Sequence, residues 1–362
     1  VWIMAYTTID DPSAYFQTIT WTGNGSDPRT ITFDGNSDMQ PDWVWEKSRS
    51  LAYQHNIYDS VRGGGKGVVT NTTAAEVSNN ANGYISAFTS DGFTLTAGST
   101  NNEQLNENTT TYVGWGWKAG TSFTNDASGT GIGSIDSAGS VNQDAGFSIC
   151  SYTGAGGVIT VKHGLSTVPQ VIITKNRDDA NHWAVFHHKN TSVPETDFLK
   201  LSDTAATTDD GDIWNDTAPT SAIFTAGDHS SSNRSGDAMV AYLFSEVKGY
   251  SKFGNYVGNG NADGTFVYTG FKPAFVMIKA SAAVKNWEIF DNKREGFNQS
   301  NDTIYANAAD AEGAAGRCNL LSNSFKLTTG STHLNTDGGD FIYMAFAENP
   351  FVTSTGVPAT AR

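Results

Sequence analysis

Short hydrophobic runs separated by turn-forming residues dominate the chain. Stretches such as "QVIITK", "AMVAYLF" and "FVMIK" are rich in β-branched and aromatic residues and are bounded by Gly, Asn, Asp and Ser. This pattern predicts β-strands, whereas almost no stretch places apolar residues at helical spacing. In the middle of the chain it predicts strands near Phe147–Tyr152, Ile159–Lys162, Gln170–Lys175, Trp183–His187, Ala222–Thr225 and Met239–Ser245. Six short strands within about 100 residues indicate a two-sheet sandwich.

The same plan occurs three times along the sequence. Pro41, Pro169 and Pro273 each precede an apolar strand, and an aromatic strand end with a Gly/Asn turn lies upstream of each proline. Each copy then closes on an aromatic strand, "YVGWGWKAG", "VAYLFSEV" or "IYMAFAEN". Matching motifs in the same order indicate internal duplication, and the period is too long for a solenoid.

We therefore predict an all-β protein of three tandem, related antiparallel β-sandwich domains. A jelly-roll-like sandwich is favoured over an immunoglobulin-like one, because no copy has two cysteines flanking a tryptophan. The predicted segments are a first repeat at 1–120, a linker rich in Gly, Ser and Asp at 121–145, a second repeat at 146–249, a third repeat at 250–350 and a polar tail at 351–362.

The connections differ in composition. The linker is expected to be flexible or extended, whereas the second and third repeats follow each other almost directly and are expected to pack at a fixed angle. The Ala-rich stretch Asn307–Arg317, which two glycines interrupt, is the one place where a helix is considered.

The side-chain pattern of two kinds of strand predicts which of their faces are buried. "VIIT" and "FVMIK" are apolar on both faces, so they are expected at the centre of a sheet or covered on both sides. In the closing strand of the first repeat, Tyr112 and Gly114 alternate with Val113, Trp115 and Trp117. Trp115 and Trp117 are interpreted as core residues, and the alternative is a platform on which sugar rings stack.

Charge and composition exclude several classes of protein. The net charge is −15, which argues against nucleic acid as a partner because phosphate binding needs a basic face. No run is as long and apolar as a membrane span, so membrane insertion is not expected. Cys150 and Cys318 stand at non-equivalent places in different copies, which argues against a disulfide framework and favours buried thiols.

Candidate catalytic groups are few. "RGGGKG" lacks the spacing of a phosphate-binding loop, and His182, His187 and His188 are better interpreted as surface or loop histidines than as metal ligands. A glycosidase needs a pair of carboxylates at a defined separation. The acidic residues considered are Asp59 and Asp291, which occupy matching positions in the first and third repeats. No residue is assigned a catalytic role, and a non-enzymatic protein is predicted.

A calcium site is the one cofactor considered. Asn259, Asn261 and Asp263 place oxygen atoms at alternate residues before a glycine, as at the start of a calcium-binding loop. The distal Glu of such a loop is missing, and Asn, Gly and Asp are also the residues that a hairpin turn requires. The turn interpretation is favoured.

The motifs that repeat also carry a resemblance to a known group of proteins. "MAYTTIDDPSAYFQT", "DGNSDMQPDWVWEKSRS", "GIGSIDSAGSVNQDAGFSICSYTG", "YSKFGNYVGNGNADGTFVYTGFKPAFVMIK" and "YMAFAENPF" resemble an uncharacterised family of repeat-containing virion proteins from marine tailed phages, described as tail-fibre or structural proteins. The resemblance covers nearly the whole chain. It implies a place in the virus particle and a non-enzymatic, repeated β architecture, and it transfers no ligand or catalytic residue.

The expected function is a phage virion structural protein, part of a fibre, spike or surface decoration that contributes to host attachment. Its expected location is the surface of the virion, and its expected partners are further copies of itself, other virion proteins and a host surface glycan. The alternatives are a carbohydrate-binding adhesin, a glycan depolymerase and a cellular surface-filament subunit.

Overall fold

Strands form nearly all of the regular structure, which confirms the all-β prediction. The computed structural model describes residues 6–295, 298 and 300–360. Within these residues the helical elements are one-turn pieces: α1 (Ala127–Thr130), α2 (Gly211–Trp214), α3 (Ser230–Asn233) and 3₁₀ turns at Pro12–Ala14 and Pro194–Thr196. No helix in this part of the chain is long and apolar enough to cross a membrane.

The first repeat forms two sheets. Its strands are β1 (Phe16–Thr22), β2 (Arg29–Ile31), β3 (Trp43–Ser48), β4 (His55–Asp59), β5 (Lys66–Val69), β6 (Val77–Ser78), β7 (Tyr84–Thr89), β8 (Gly92–Thr96) and β9 (Thr111–Trp117). The large sheet has the order β1-β9-β3-β4-β5-β6, and the small sheet has the order β2-β8-β7. The closing strand β9 thus lies between β1 and β3, antiparallel to both.

The second repeat builds its large sheet on the same plan. Its strands are β10 (Thr121–Asn125), β11 (Ser137–Asn142), β12 (Phe147–Thr153), β13 (Ile159–Lys162), β14 (Val171–Asn176), β15 (Ala184–His187), β16 (Asp197–Lys200), β17 (Thr208–Asp209), β18 (Ile223–Ala226) and β19 (Ala238–Phe244). The large sheet runs β10-β11-β12-β19-β14-β15-β16-β17, and β13 pairs with β18. The apolar strand β14 lies at the centre, as its sequence predicts.

In the third repeat both layers belong to one sheet. Its strands are β20 (Ser251–Val257), β21 (Phe266–Tyr268), β22 (Phe271–Ala280), β23 (Glu288–Asp291), β24 (Ser300–Tyr305), β25 (Gly313–Leu320), β26 (Ser324–Leu327) and β27 (Asp340–Pro350). The order is β20-β27-β22-β23-β24-β25-β26-β21. The pairing of β24 with β25 shifts register near Ser300 and Asp302, where the sheet passes from one layer to the other.

Each repeat encloses a hydrophobic core between its two layers, which we call the outer core. Each outer core combines residues of both layers, for example Val44 with Phe93, Ile172 with Phe224 and Val276 with Phe325. Burial of one face of each layer is what makes two stacked sheets stable in water. Cys150 and Cys318 are free and buried in the second and third outer cores.

The opposite faces of the three large sheets meet in a single cluster, which we call the inner core. All three repeats contribute to it, with residues at alternate positions of the closing strands: Val113, Trp115 and Trp117; Val240, Tyr242 and Phe244; Ile342, Met344 and Phe346. The ring of Phe346 lies 5.4 Å from that of Trp117 and 5.8 Å from that of Phe244. The central strands are therefore covered on both faces, one in each core.

Two sequence expectations are wrong. The segment 121–145, expected to be a flexible or extended linker, contains α1 and the strands β10 and β11, which extend the second large sheet. One of its glycines allows close strand approach, since a Cβ at Gly139 would collide with the carbonyl oxygen of Ile149. The stretch Asn307–Arg317 forms no helix, and its C-terminal part lies in β25.

The inner core predicts a compact particle in solution. A single body of this length has a radius of gyration of about 21 Å, whereas three domains arranged in a line would give roughly 30 Å. Small-angle X-ray scattering of the monomeric fraction is expected to give the smaller value. A value near the larger one would show that the repeats separate in solution.

Candidate functional site

The aromatic candidates Trp115 and Trp117 lie inside the protein. Their exposed fractions are 0% and 1%, and both belong to the inner core. The ring of Trp117 lies 5.6 Å from that of Phe275 in the third repeat. The sugar-stacking alternative for these two residues is therefore wrong, and the core interpretation is the one that the structure supports.

The oxygen atoms considered for calcium are used within a turn. Asn259 Oδ1 accepts hydrogen bonds from the Asn261 amide (3.0 Å) and from Asn335 Nδ2 (2.8 Å), and Asn261 Oδ1 accepts from the Asp263 amide (3.1 Å). Asp263 forms an ion pair with Lys326. These contacts fix the turn and favour the hairpin interpretation. Among the described residues, no group of three or more His, Cys, Asp or Glu side chains could hold a metal ion.

The matching carboxylates, Asp59 and Asp291, are buried in ion pairs. Asp59 accepts from Arg62 Nε at 2.5 Å, and Asp291 accepts from Arg294 Nε at 2.6 Å. Burial opposes the charge on Arg62, but the Asp59 carboxylate raises the pKa of Arg62 above its ordinary value. Each carboxylate is therefore paired with a guanidinium group, and "RGGGKG" supplies one of these arginines.

Each carboxylate also accepts a hydrogen bond from another repeat. Tyr242 Oη of the second repeat donates to Asp59 at 2.7 Å, and Trp115 Nε1 of the first repeat donates to Asp291 at 3.1 Å. The donors occupy the same position of their closing strands, because Trp115 pairs with Trp45 as Tyr242 pairs with Ile173. The candidate site is therefore a set of equivalent contacts between repeats.

We call these contact surfaces the first junction (first and second repeats), the second junction (second and third) and the third junction (third and first). In the second junction both members of the buried pair differ. His187 stands where the other repeats have Asp, and Met344 stands where they have Tyr or Trp. His187 Nε2 instead contacts the carbonyl oxygen of Tyr343 at 3.1 Å. The acceptor and the donor have thus been replaced together.

The remaining histidine candidates do not converge. His182 bonds to Ser202 Oγ at 2.9 Å, whereas His188 Nε2 lies 2.6 Å from the carbonyl oxygen of Phe253 in the third repeat. The expectation that these are surface or loop residues is wrong for His187, which is 1% exposed. Its role is a contact between repeats.

An equivalent lysine, called the strand-end lysine, stands one residue before the end of the central strand of each repeat, β3, β14 or β22. Lys47, Lys175 and Lys279 are buried, and burial lowers the pKa of each to about 8. Lys175 Nζ donates to the Thr73 carbonyl at 3.3 Å and Lys279 Nζ to that of Thr204 at 3.2 Å, each in the preceding repeat. All three also donate to carbonyl groups of their own following turn. Each ammonium group therefore closes a turn, and two of them reach across a junction.

Eight residues after each lysine stands an aromatic ring, and in the second and third repeats this ring donates a hydrogen bond to the preceding repeat. Trp183 Nε1 donates to the Val69 carbonyl at 2.8 Å, and Trp287 Nε1 donates to that of Lys200 at 2.9 Å. In the first repeat the ring is His55. Burial lowers the pKa of His55 well below its ordinary value, and nearby carbonyl groups of the third repeat offset this only partly.

Main-chain hydrogen bonds repeat in the same cyclic order. An amide of one repeat donates to the carbonyl two residues after the strand-end lysine of the next: Glu76 to Arg177 (2.8 Å), Thr207 to Ser281 (2.8 Å) and Glu312 to Arg49 (2.7 Å). In the first and third junctions a bidentate Arg–Glu pair joins the same residues. In the second junction the partners are neutral, and Thr207 Oγ1 donates to Ser281.

The sequence carries a signal for these contacts. The strand-end lysine follows each repeat proline, Pro41, Pro169 or Pro273, by a constant spacing, and the Trp or His ring follows the lysine by another. The match of Asp59 with Asp291 was recognised, but it was considered for catalysis. The repeated positions instead mark the surfaces where the repeats meet.

The chain belongs to a family defined by a domain of unknown function (DUF7483), whose profile matches residues 11–350. This match spans the strands from β1 to β27. A search of curated proteins finds no match.

The ion pair in the first junction is expected to matter more than an exposed one. Asp59→Asn leaves Arg62 buried with its charge less well matched, so we expect the free energy of unfolding to fall by about 3 kcal/mol. Asp34→Asn, which breaks the exposed pair with Lys293, is the control and is expected to cost at most about 1 kcal/mol. Equal losses in denaturant titrations would contradict the role assigned to Asp59.

His187 is expected to make the protein sensitive to acid. Its Nδ1 accepts from the Lys189 amide at 3.1 Å, and burial lowers its pKa to about 3. The unfolded chain takes up a proton near pH 6.5, so the free energy of unfolding falls as the pH drops from about 6.5 toward 3. The slope is about 1.4 kcal/mol per pH unit.

Denaturant titrations at pH 7, 6 and 5 measure this effect. His187→Gln is expected to show a shallower loss of stability than the wild type over this range. His182→Gln alters a half-exposed ring and serves as the control, with a slope close to that of the wild type. Parallel slopes for the wild type and His187→Gln would show that His187 is not held neutral.

Proposed function

We propose that the protein is a non-enzymatic structural component of a tailed-phage particle, in the form of a compact spike or surface decoration that contributes to host attachment. The proposal rests on the resemblance of its motifs to phage virion proteins and on one structural observation, the inner core. Carboxylates that a glycan depolymerase would need in a groove, Asp59 and Asp291, are instead buried in ion pairs.

The inner core favours a compact module over a segment of a fibre shaft. A shaft grows by stacking domains end to end, which leaves each domain's large faces available to its own core or to a partner chain. Here each large sheet has one face in an outer core and the other in the inner core. The faces are used within the chain, so contacts with other virion proteins or with further copies fall to the edges and loops.

The loops differ among repeats that share one plan. The first repeat has a small sheet of three strands, the second has a helical segment and two added edge strands, and the third merges its layers into one sheet. Connecting loops are the usual carriers of binding in sandwich proteins. Different loops on a common body support a division between assembly contacts and host contacts.

A carbohydrate-binding adhesin is the second candidate. Phe266 and Tyr268 are two residues apart on the edge strand β21, so they project from the same face, and they are 53% and 50% exposed. Exposed aromatic rings are surfaces on which sugar rings stack. This pair is the alternative to the buried tryptophans that the sequence suggested.

Purified particles of a phage that encodes this chain test the proposal. We expect mass spectrometry to find the protein at a fixed ratio to the capsid protein, and antibodies raised against it to label intact particles in electron microscopy. Antibody absorbed with the recombinant protein is the control. A protein found in the lysate of infected cells but absent from washed particles would overturn the proposal.

A further inference from the structure

The third junction contains a cleft. At the equivalent position of the second junction, a side chain spans the gap between the repeats. The cleft has a volume of about 350 Å³ and lies between β1 of the first repeat and the strands β22 and β27 of the third. Its wall includes Thr18 and Asp34 from the first repeat and Asn292, Lys293 and Glu348 from the third. This volume falls within the range of small-molecule sites, roughly 300–1,000 Å³.

The cleft arises from the side chain of Asn292, the residue that directly follows β23. His188, Asn292 and Ser60 are equivalent, because the amide of each donates to the carbonyl of the residue that follows the repeat proline: Gln170 (2.9 Å), Ala274 (2.9 Å) and Asp42 (2.8 Å). In the second junction the His188 ring crosses to the Phe253 carbonyl at 2.6 Å. Asn292 is shorter and turns sideways, so that its Nδ2 donates to Glu348 at 2.8 Å.

The wall of the cleft carries buried polar atoms without a protein partner. Thr18 is 3% exposed and Asn292 is 7% exposed, and among the described residues Thr18 Oγ1 and Asn292 Oδ1 have no hydrogen-bond partner. Thr18 stands where the second repeat has Ile149 and the third has Phe253 in the equivalent register. Polar groups at a position that is otherwise apolar cost stability unless something bonds to them.

A second feature of the wall is that its framework is rigid. Gln17 Nε2 donates to the carbonyl groups of Ser13 (2.9 Å) and Ser37 (2.8 Å), and its Oε1 accepts from the Gly35 amide (2.8 Å). Gly35 approaches so closely that a Cβ there would collide with Gln17. The loop that forms one side of the cleft is thereby fixed to β1.

Charges around the cleft are paired. Lys293 bridges to Asp34 across the junction at 2.8 Å, and Lys272 pairs with Glu348 at 3.0 Å. An anion would meet two carboxylates and a cation would meet two ammonium groups, so neither sign is favoured. The hydroxyl, amide and carboxylate groups of the wall instead offer both donors and acceptors to a neutral ligand.

From this geometry we propose that the cleft of the third junction binds a neutral, hydroxyl-rich ligand, a sugar unit of a glycan. Sugar hydroxyl groups donate and accept hydrogen bonds, so they match the unpartnered Thr18 and Asn292 atoms and the amide groups beside them. The site does not depend on the protein's place in a particle.

Saturation-transfer NMR with the full chain tests the proposal. The probes are glucose, galactose, mannose and N-acetylglucosamine with their short oligomers, and glucuronic acid and inorganic phosphate serve as charged comparisons. We expect transfer to at least one neutral sugar. Asn292→His, which places in this cleft the residue that bridges the second junction, is expected to weaken binding by about tenfold or more, the effect of losing roughly 1.4 kcal/mol of contact.

Two variants provide the controls. His188→Asn exchanges the equivalent residue of the second junction and is expected to leave sugar binding unchanged. Phe266→Ala removes an exposed ring that is not part of the cleft wall and is also expected to leave it unchanged. Thermal unfolding by circular dichroism establishes that each variant is folded.

The outcomes separate the possibilities. Loss of binding in Asn292→His alone supports the cleft. Loss in Phe266→Ala with retention in Asn292→His would overturn it and assign sugar binding to the exposed aromatic pair. Transfer only to glucuronic acid or phosphate, or to none of the probes, would also overturn it.

Discussion

The structure depends on burying the second face of three β-sheets. An antiparallel sheet can leave one face in water, but the central strands of these sheets are buried on both faces. The sandwich covers one face, and the other faces of the three repeats cover each other. Trp117, Phe244 and Phe346, which are equivalent in their closing strands, come together where the three sheets meet.

The polar contacts at the junctions follow from that burial. Strand ends brought against a neighbouring repeat carry carbonyl and amide groups that must find partners away from water. Main-chain hydrogen bonds satisfy some of them in the same cyclic direction at each junction, and a lysine and a tryptophan ring do so at the first and second junctions. In the second junction His187 replaces the aspartate and Met344 replaces the hydrogen-bond donor, so the aspartate and the donor that would need it are replaced together.

Because the junctions are equivalent, a difference between two of them points to a position where the protein has a local feature of its own. His188 crosses the second junction, whereas Asn292 leaves a polar cleft in the third. A protein that needed only to hold its repeats together would gain by filling that space with apolar side chains, as the other repeats do at the position of Thr18. The proposed sugar site accounts for the polar wall of this cleft.

Much of the strand pattern could be predicted from the sequence. The six strands predicted for the second repeat lie within one or two residues of β12, β13, β14, β15, β18 and β19, because their β-branched runs are bounded by clear turn residues. The alternation in the closing strand of the first repeat also placed Trp115 and Trp117 on one face correctly. Local periodicity is sufficient for features of this kind.

The rest depended on contacts distant in the chain. β11, whose residues are mostly small or polar, has the composition of a linker, and its pairing with β10 and β12 makes it a strand. The pairing of Asp59 with Arg62 is local, but the hydrogen bond that Asp59 accepts from Tyr242 comes from another repeat. A cleft formed by Thr18 and Asn292 cannot be read from either repeat alone, because its walls meet only after the junction forms.

Native-state hydrogen exchange tests the central claim, that the three sheets form one cooperative body around the inner core. The informative amides are those of the central strands, at Val44, Ile172 and Val276. Since each sheet loses a covered face when another leaves, all three amides should exchange through one opening with the free energy of global unfolding. Exchange of one sheet through a lower-energy opening, with the other two still protected, would contradict the account.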